Sequence, residues 1–373
     1  MILHVLKLDN FRNYHHMEVT WHEQANLLQG ANAQGKSNLL EAICLLSLTT
    51  SFRGVGEADL ITKGESYFYV EGQVSKGESS DGEEDFTICA AYSADKRRKW
   101  KVGLKECRRG EVVGLLHTVI FSPEDVDLVK AGPMQRRRFL NRQISQLYPE
   151  HCRLLLRYNR ILAQRNRCLK LLQQPETAAG ANEALSVWDQ QLAENGAAII
   201  WQRRQVLAQL NPLAAQFHGE LAAQEKLHLS YKSFAGAVEA SDKTELMALF
   251  LAELKRASAY ERSRGTTVIG PHRDDLQIEI AGAIGKGYAS QGQQRTAALA
   301  CKLAELHLAY NKKKEWPLLL LDDVLSELDS RRQQALLKKI DGGAQTFIAC
   351  TDSLPLQYGQ VWRVESGELR VKS

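Results

Sequence analysis

The alternation of hydrophobic and polar residues divides the chain into strand-like and helix-like regions. In the first third, short apolar or alternating segments predict strands at 2–8, 17–21, 67–74, 86–92 and 99–104, which with the apolar stretch Asn26-Leu27-Leu28 would form a mixed sheet. The acidic segment 78–85 predicts a solvated hairpin loop between two of these strands. After Pro123 apolar residues recur at helical spacing, and strand-like segments return at 267–269 and 276–280. The pattern predicts an α/β fold with a mostly helical middle region.

Two long helical runs account for most of that middle region. Apolar residues between 154 and 172 recur at helix-compatible spacing, and a second run extends from about 183 to 210, before Asn211-Pro212. Proline, glycine and alanine at 173–182 predict a break between the runs. Neither run keeps a sustained heptad repeat, so we expect a compact helical lever in place of a long coiled coil.

A glycine-rich loop follows the third predicted strand and precedes a helix-like run at 38–46. It reads G-A-N-A-Q-G-K-S and matches the phosphate-loop pattern G-x-x-x-x-G-K-[ST]. In such a loop the glycines turn backbone N–H groups toward the phosphates, the lysine reaches the β and γ oxygens, and the hydroxyl ligates Mg²⁺. The sequence predicts a nucleoside triphosphate site with Lys36 as a catalytic group and Ser37 as a metal ligand, lined by Gly30, Ala31, Asn32, Ala33, Gln34, Gly35, Lys36 and Ser37.

An acidic motif far downstream belongs to the same predicted site. Residues 317–323 read P-L-L-L-L-D-D, an apolar run of the kind found in buried parallel strands that ends in two carboxylates. As a Walker B segment it would place Asp322 on the Mg²⁺ and Asp323 beside the attacking water as a catalytic group. Both Walker segments must lie in one sheet, so the helical region between them must be inserted. We therefore expect a head of residues 1–121 and 262–373 and an arm of residues 122–261.

The segments around the second Walker motif resemble ABC-type ATPases, in particular the heads of SMC proteins. S-Q-G-Q-Q-R at 290–295, before a helical stretch at 296–310, is similar to the signature loop L-S-G-G-Q, and D-D-V-L-S-E-L-D at 322–329 is similar to a Walker B and D-loop. The resemblance implies that ATP bound to one subunit is contacted by the signature of another, so that ATP joins a homodimer. It places Arg12 and Asn13 near the phosphates in cis, and it implies a trans signature of Ser290, Gln291, Gly292 and Gln293.

Further motifs resemble the bacterial RecF family. N-F-R-N-Y near the N-terminus, S-P-E-D at 122–125 and G-P-H-R-D-D-L at 270–276 occur with the nucleotide motifs in that family's order, between residues 9 and 329. The resemblance implies a DNA repair and replication protein of the SOS response, cytoplasmic and nucleoid-associated. Such a protein would be an ATP-dependent clamp on double-stranded DNA or a duplex to single-strand junction, and would help to load the strand-exchange recombinase together with RecR and RecO.

Two departures from the ABC-transporter pattern bear on hydrolysis. Ser122-Pro123-Glu124 stands where transporters carry a glutamine, and Thr351-Asp352 stands where many carry a switch histidine. We therefore expect slow ATP hydrolysis. The resemblance to the RecF family implies that this hydrolysis is weak, is stimulated by DNA and acts as a switch.

Basic residues are clustered locally, although the formal net charge of the chain is only +4. Between Lys130 and Lys170 there are eleven Lys or Arg residues and one acidic residue, Glu150, and a second cluster lies at 97–101. Such clusters can neutralise nucleic-acid phosphates without reading sequence. A solvated helix face, or arginines paired with distant acids, would give the same pattern. The candidates for DNA contact are Arg136, Arg137, Arg138, Arg153, Arg157 and Arg160.

Composition predicts an ordered globular protein in a reducing compartment. Apolar residues make up 44% of the 373 residues, and no apolar run is long enough for a membrane helix. The N-terminus carries no recognisable secretory signal, so a cytoplasmic location is expected. Seven dispersed cysteines without a C-x-x-C motif predict free thiols. G-P-H-R-D-D lacks the histidine spacing of a zinc site, which favours a structural or allosteric loop beside the nucleotide.

Other functions fit the sequence less well. An ABC-transporter-type ATPase subunit that drives a membrane partner is the main alternative, and co-sedimentation with membranes would support it. The inserted arm, the absent glutamine and switch histidine, and G-P-H-R-D-D-L argue against it. An SMC-like structural protein would need a long coiled coil, and a phosphate-loop kinase would need 290–295 to lie far from the nucleotide.

Overall fold

The computed structural model describes residues 1–79, 82–174, 178–222, 225–328, 333, 336, 343–351 and 359–372. The chain forms two compact units, one of Met1–Val126 and Ala298–Ser373, and one of Asp127–Ala297. The first boundary lies near the predicted division at 121, whereas the second lies at Ala297 and not at 261.

An antiparallel six-stranded sheet forms one layer of the first unit, in the order β2-β1-β4-β5-β6-β7. Alternate apolar residues of its first strand, such as Leu6 and Leu8, are fully buried. The strands are β1 (Ile2–Phe11), β2 (Tyr14–Thr20), β4 (Tyr67–Ser79), β5 (Gly82–Ser93), β6 (Arg98–Val102) and β7 (Lys105–Cys107).

A second six-stranded sheet of this unit has the order β15-β14-β3-β13-β12-β8. Pairing is parallel from β14 to β8, and β15 is antiparallel to β14. Every residue of β12 and β13 is buried, as expected for central parallel strands. Its strands are β3 (Ala25–Gln29), β8 (Thr118–Phe121), β12 (Leu318–Asp322), β13 (Thr346–Cys350), β14 (Gln360–Glu365) and β15 (Glu368–Val371).

The placement of β3 corrects the prediction of one mixed sheet in the first third of the chain. β3 pairs with β13 and β14, which lie more than three hundred residues downstream, and not with its sequence neighbours. The prediction that both Walker segments lie in one sheet is confirmed, with β13 between β3 and β12 and parallel to both.

One helix lies at the centre of the first unit. Helix α1 (Lys36–Leu48) is buried on nearly all sides and shares a hydrophobic core with residues of both sheets. The unit also contains α2 (Arg109–Val112), 3₁₀ turns at Glu57–Leu60, Pro123–Val126 and Leu325–Glu327, and the greater part of α9 (Gln291–Lys313).

The second unit is mostly helical and carries a three-stranded antiparallel sheet in the order β11-β10-β9. Because β10 pairs along its whole length with β9, a strand inside the predicted arm, the compact unit extends beyond residue 261. Its elements are α3 (Asp127–Lys130), α4 (Pro133–Leu147), α5 (Pro149–Leu171), α6 (Ala178–Leu221), β9 (Leu227–Lys232), α7 (Lys243–Arg264), β10 (Asp275–Ile280), β11 (Ala283–Ile284), α8 (Gly285–Tyr288) and the first turns of α9.

Several predicted element boundaries are wrong. The second long helix does not end before Pro212 but continues to Leu221, because Leu210, Ala214 and Phe217 are buried and outweigh the hydrogen bond that proline removes. The strand expected at 267–269 is absent from these described residues, and β9 was missed. The acidic segment 78–85 does not form a long loop, since β4 reaches Ser79 and β5 begins at Gly82.

Two predictions from composition can be compared with the structure. All seven cysteines are free. Among the described residues, no helix has the length and apolar character needed to cross a membrane.

Candidate nucleotide-binding site

In the glycine-rich loop between β3 and α1, two glycine positions leave no room for a side chain. A Cβ at Gly30 would lie 2.3 Å from the carbonyl oxygen of Val364. Gly35 has φ +119°, and a Cβ there would lie 2.6 Å from Asn13 Nδ2 and 2.8 Å from Tyr14 Oη. The glycines of the motif are therefore required by close approach of neighbouring strands and loops as well as by the turn.

Helix α1 begins directly at the lysine of the motif. The carbonyl oxygen of Gly35 accepts from the backbone N–H groups of Asn38 and Leu39 at 2.9 and 3.1 Å, which starts the helix at Lys36. The first N–H groups of a helix have no acceptor within it, and they combine with the helix dipole to favour an anion. The strand, loop and helix expected of a phosphate-binding site are thus present.

The side chain of Lys36 points back over the loop. Its Nζ donates to the carbonyl oxygens of Gly30 at 2.8 Å and Ala31 at 3.0 Å, and the residue is 3% exposed. A buried ammonium held by two carbonyls lies within the turn that a triphosphate would occupy in this motif.

Distant segments hold the loop from both sides. Asn13 Nδ2 donates to the carbonyl of Gln34 at 2.9 Å, and Asn38 Nδ2 donates to Asn13 Oδ1 at 2.8 Å. The turn between β14 and β15 contributes the backbone N–H of Ser366, which donates to Gln34 Oε1 at 2.7 Å, and that of Gly367, which donates to Gln34 O at 3.1 Å. Asn13 therefore contacts the phosphate loop directly.

Arg12 is held against helix α1. Its Nε and one terminal nitrogen donate to the two oxygens of the fully buried Glu41 at 2.8 and 3.0 Å, and the other donates to the carbonyl of Asp59 at 2.9 Å. Ser51 also donates to Glu41. The bidentate geometry is the strong form of this ion pair. The structure gives Arg12 a position fixed by α1, and its expected proximity to the phosphates stays a prediction.

The first Walker B carboxylate is buried beside the phosphate loop. Asp322 ends β12, is 5% exposed and accepts a hydrogen bond from Ser37. Burial raises the pKa of Asp322 above its ordinary value, and the negative charges of Asp323 and Glu124 also raise it. The hydrogen bond from Ser37 and the positive charge of Arg53 lower this pKa but do not outweigh burial. The buried Oδ1 of Asp322 has no hydrogen-bond partner among the residues that the structure describes.

These groups fit a divalent cation. A buried carboxylate oxygen without a partner is costly unless a donor or a cation satisfies it. Mg²⁺ is bound by a carboxylate or two together with substrate phosphates and water. Ser37 and Asp322 would hold the ion.

Arg53 is a basic residue of this site that no sequence motif indicated. One terminal nitrogen lies 3.9 Å from Asp322 Oδ2, and the other donates to Asn38 Oδ1 at 3.1 Å and lies 3.9 Å from Glu41. Its guanidinium thus faces the Walker B carboxylate from the segment after α1. A short S-F-R sequence carries no recognisable pattern, so only the fold could identify it.

The second Walker B carboxylate has an unusual backbone. Asp323 has φ +53°, and its N–H donates to the carbonyl of Ala349 at 3.1 Å. Left-handed conformations of non-glycine residues are uncommon and are often found at functional sites. Ser326 Oγ of the predicted D-loop donates to the carbonyl of Asp323 at 2.7 Å. Asp329 of that loop and Asp352 of the switch position lie outside the described residues.

The predicted signature lies in the second unit at the beginning of α9. Ser290 Oγ accepts from the backbone N–H of Gln293 at 3.2 Å, and Gln293 Oε1 accepts from that of Ser290 at 2.7 Å. This reciprocal capping box starts the helix at Gln291, five residues before the predicted position 296. Gln293 Nε2 also donates to Glu225 at 2.8 Å. Ser290, Gln291 and Gly292 are exposed.

The six arginines predicted to contact DNA have different environments. Arg136 is 7% exposed, and its Nε and a terminal nitrogen each donate to Asp275 at 2.8 Å. Arg136 therefore forms a buried structural ion pair with Asp275. The prediction that Arg136 faces DNA is corrected, because its guanidinium is not available to a phosphate. Arg137 is half-buried and donates to the carbonyl of Asp274 at 2.6 Å, and Arg138 is half-buried. Three of the six arginines are exposed: Arg153, Arg157 and Arg160.

The G-P-H-R-D-D segment is committed to contacts within the second unit. His272 Nδ1 accepts from Tyr158 Oη at 2.7 Å, and burial lowers the pKa of His272 to about 4. Asp274 accepts from Tyr231 Oη at 2.5 Å and Ser233 Oγ at 2.8 Å, yet burial raises its pKa to about 6. With Asp275 bound to Arg136, these side chains serve the packing of this unit.

The first unit defines the class of protein. A phosphate loop and a buried acidic strand end lie in one parallel sheet, which shares its core with an antiparallel sheet, as in the ATPase heads of ABC and SMC proteins. Within this class, the chain belongs to the RecF family. The family model described as RecF/RecN/SMC N terminal domain matches residues 2–361.

Named relatives cover nearly the whole chain. The DNA replication and repair protein RecF of Rippkaea orientalis is 40% identical over 384 residues, 99% of each chain. That of Bacillus mycoides is 38% identical over 354 residues, 94% of this chain and 92% of the relative.

Solved structures agree with this assignment. A structure of the recombination mediator protein RecF with ATP is 37% identical, has a TM-score of 0.92, and the match covers 100% of this chain and 98% of that one. An Smc head domain from Pyrococcus furiosus, 15% identical, has a TM-score of 0.55 over 100% of this chain and 96% of that one, and shows the fold alone.

Proposed function

We propose that this protein is an ATP-dependent DNA-binding protein of recombinational repair and replication restart. The observation that carries the ATP-dependent part of this proposal is the buried Oδ1 of Asp322, which has no hydrogen-bond partner among the described residues and lies next to Ser37 in a site that also contains Lys36. The likeness to proteins named for DNA replication and repair, over 99% of the length of one of them, supports the DNA-directed role. The solved relatives with ATP and a thiophosphate analogue support ATP as the nucleotide.

The residues of the first unit would divide the work of binding and hydrolysis. Lys36 would leave its loop carbonyls for the β and γ oxygens, and Ser37 and Asp322 would hold Mg²⁺, which neutralises phosphate charge and orients the oxygens. Asp323 would accept a hydrogen bond from the attacking water. The Gln and His that position water in transporters are replaced in this chain, so hydrolysis would be slow and would act as a reset.

The beginning of α9 suits a γ-phosphate of a second subunit. Ser290, Gln291 and Gly292 are exposed at the N-terminus of a long helix, where free N–H groups and the helix dipole favour an anion. Two heads would then enclose two ATP molecules as a homodimer. Closure of the dimer would hold duplex DNA or a duplex to single-strand junction, and hydrolysis would release it.

The proposed partners follow from the relatives. One solved relative is described as a mediator in the RecFOR pathway. We propose that this chain acts with RecR and RecO to load the strand-exchange recombinase at single-strand gaps, in the cytoplasm and at the nucleoid.

The proposal predicts nucleotide-dependent retention of DNA. Wild-type protein should retain a fluorescent gapped duplex in a gel or filter assay with ATP and Mg²⁺, and less of it with ADP. Lys36→Met, which removes the ammonium but keeps a flexible apolar chain, should retain the same amount with either nucleotide. Equal retention by the wild type with ATP and ADP would contradict an ATP-driven clamp.

A further inference from the structure

Helix α5 carries a row of exposed arginines on one face. Arg153, Arg157, Arg160 and Arg167 are all exposed. At 100° per residue these positions, with the exposed Gln164 between them, fall within an arc of about 80°. The buried Tyr158, Ile161, Arg165 and Leu169 lie outside this arc, on an adjoining face of the helix. We call Arg153, Arg157, Arg160 and Arg167 the arginine row.

The arginine row has no carboxylate partners in the part of the chain that the structure describes, as no ion pair or hydrogen bond of these side chains occurs there. This separates them from the neighbouring arginines of the same basic cluster. Arg136 binds Asp275, and the buried Arg165 binds Asp189 at 2.6 Å and Glu261 at 2.7 Å. The two buried arginines of the cluster are thus paired with acids of the fold, whereas the arginine row faces water.

We propose that the arginine row is a binding surface for the phosphate backbone of duplex DNA. This inference rests on the proposed DNA-binding function and assigns its surface to four residues, one of which, Arg167, lay outside the candidates from sequence.

The length of the row matches a stretch of nucleic-acid backbone. The four arginines span 15 residues of helix. The 14 steps from the first to the last cover about 21 Å at 1.5 Å per residue, which is the axial length of about six phosphates of one strand. Guanidinium groups pair with phosphates in a bidentate way, and a row of them reads no bases. The surface would therefore bind duplex DNA of any sequence.

The salt dependence of binding tests this surface. Each neutralised phosphate contributes about −0.9 to the slope of log affinity against log salt. The triple variant Arg153→Gln, Arg157→Gln, Arg160→Gln should therefore have a slope smaller by about 2 to 3 for a fluorescent duplex of mixed sequence, measured with ATP and Mg²⁺. Glutamine preserves helix propensity, so α5 should remain folded.

A matched control has the same change in net charge elsewhere in this unit. Lys243, Lys255 and Arg256 are exposed on α7, and their replacement by Gln also removes three positive charges. This control should keep the wild-type slope. Equal slopes for the two triple variants would overturn the arginine row, while DNA binding by the wild type would leave the proposed function standing. If the wild type binds no duplex at any salt concentration, the proposed function fails and the arginine row with it.

Two further arms complete the test. If the triple variant is unfolded by circular dichroism, Arg157→Gln alone is measured and should lower the slope by about 1. Polyglutamate serves as an acidic polypeptide probe. If the triple variant lost polyglutamate binding but kept wild-type duplex binding, the row would be a surface for an acidic protein and its proposed nucleic-acid role would be overturned.

Discussion

Gly35→Ala should disrupt the nucleotide site through the backbone, without removing any group that contacts phosphate. The residue has φ +119°, and a Cβ would lie 2.6 Å from Asn13 Nδ2, 2.8 Å from Tyr14 Oη and 2.9 Å from Asn13 Oδ1. Asn13 cannot move away freely, because it joins the carbonyl of Gln34 to the side chain of Asn38.

The magnitude follows from two contributions. Forcing a left-handed conformation on alanine costs about 1–2 kcal/mol. Losing the two Asn13 hydrogen bonds adds about 0.5–1.5 kcal/mol each. If the loop must recover its native conformation to bind ATP, a total of about 2–5 kcal/mol corresponds to a loss of affinity of roughly 30-fold to several thousand-fold.

The assay is a titration with a fluorescent ATP analogue in the presence of Mg²⁺, with urea unfolding measured alongside. Gly64→Ala is the matched control, because Gly64 has φ +95° and no atom lies within 4 Å of its added Cβ. The control should lose about 1–2 kcal/mol of stability and keep its affinity for ATP. A Gly35→Ala variant that binds the analogue as well as Gly64→Ala does would refute the account of the loop.

Two further predictions concern the second unit. Arg165→Met should lower the free energy of unfolding in urea by about 3–5 kcal/mol, because it leaves the fully buried Glu261 without its cation. As a control, Arg256→Met removes one partner of an exposed ion pair and should cost less than about 1 kcal/mol. Equal losses for the two variants would contradict this reasoning. In the folded protein the pKa of His272 is about 4, below its ordinary value of 6.5. The neutral His272 therefore makes its full contribution to stability above pH 6.5, and this contribution falls by up to about 3 kcal/mol as the pH drops toward 4. Asp274 acts in the opposite direction, because its raised pKa of about 6 makes the folded state more stable as the pH falls from 6 to 4. In the His272→Gln variant only the Asp274 effect remains, so the free energy of unfolding in urea should increase over this pH range. A variant with the same pH dependence as the wild type would contradict this role of His272.

The phosphate loop and the Walker B strand could be predicted because their signals are local. The loop requires glycines at fixed spacing, and a strand buried on both faces is a continuous apolar run such as Leu318–Asp322. The partners of β3 could not be predicted, since β13 and β14 are more than three hundred residues away and no periodicity identifies a pairing partner.

The site and the charged surface show the same limit. Arg53 meets Asp322 only because the chain after α1 turns back toward β12, and S-F-R gives no sign of it. The start of α9 was missed because Ser290 and Gln293 form a capping box in a segment interpreted as a loop. A count of basic residues could not separate Arg136, whose partner Asp275 is 139 residues away, from the exposed Arg157.

ATP is proposed to join two subunits through the beginning of α9, and the molecular mass of the protein in solution reports this association. Light scattering with ATP and Mg²⁺ should show a doubled mass for the wild type and an unchanged, monomeric mass for Lys36→Met. Ser290→Asp keeps an N-cap for α9 but adds a negative charge where a partner's γ-phosphate would bind, so it should stay folded and monomeric. A wild-type mass that ignores ATP, or a Ser290→Asp variant that dimerises like the wild type, would contradict the account.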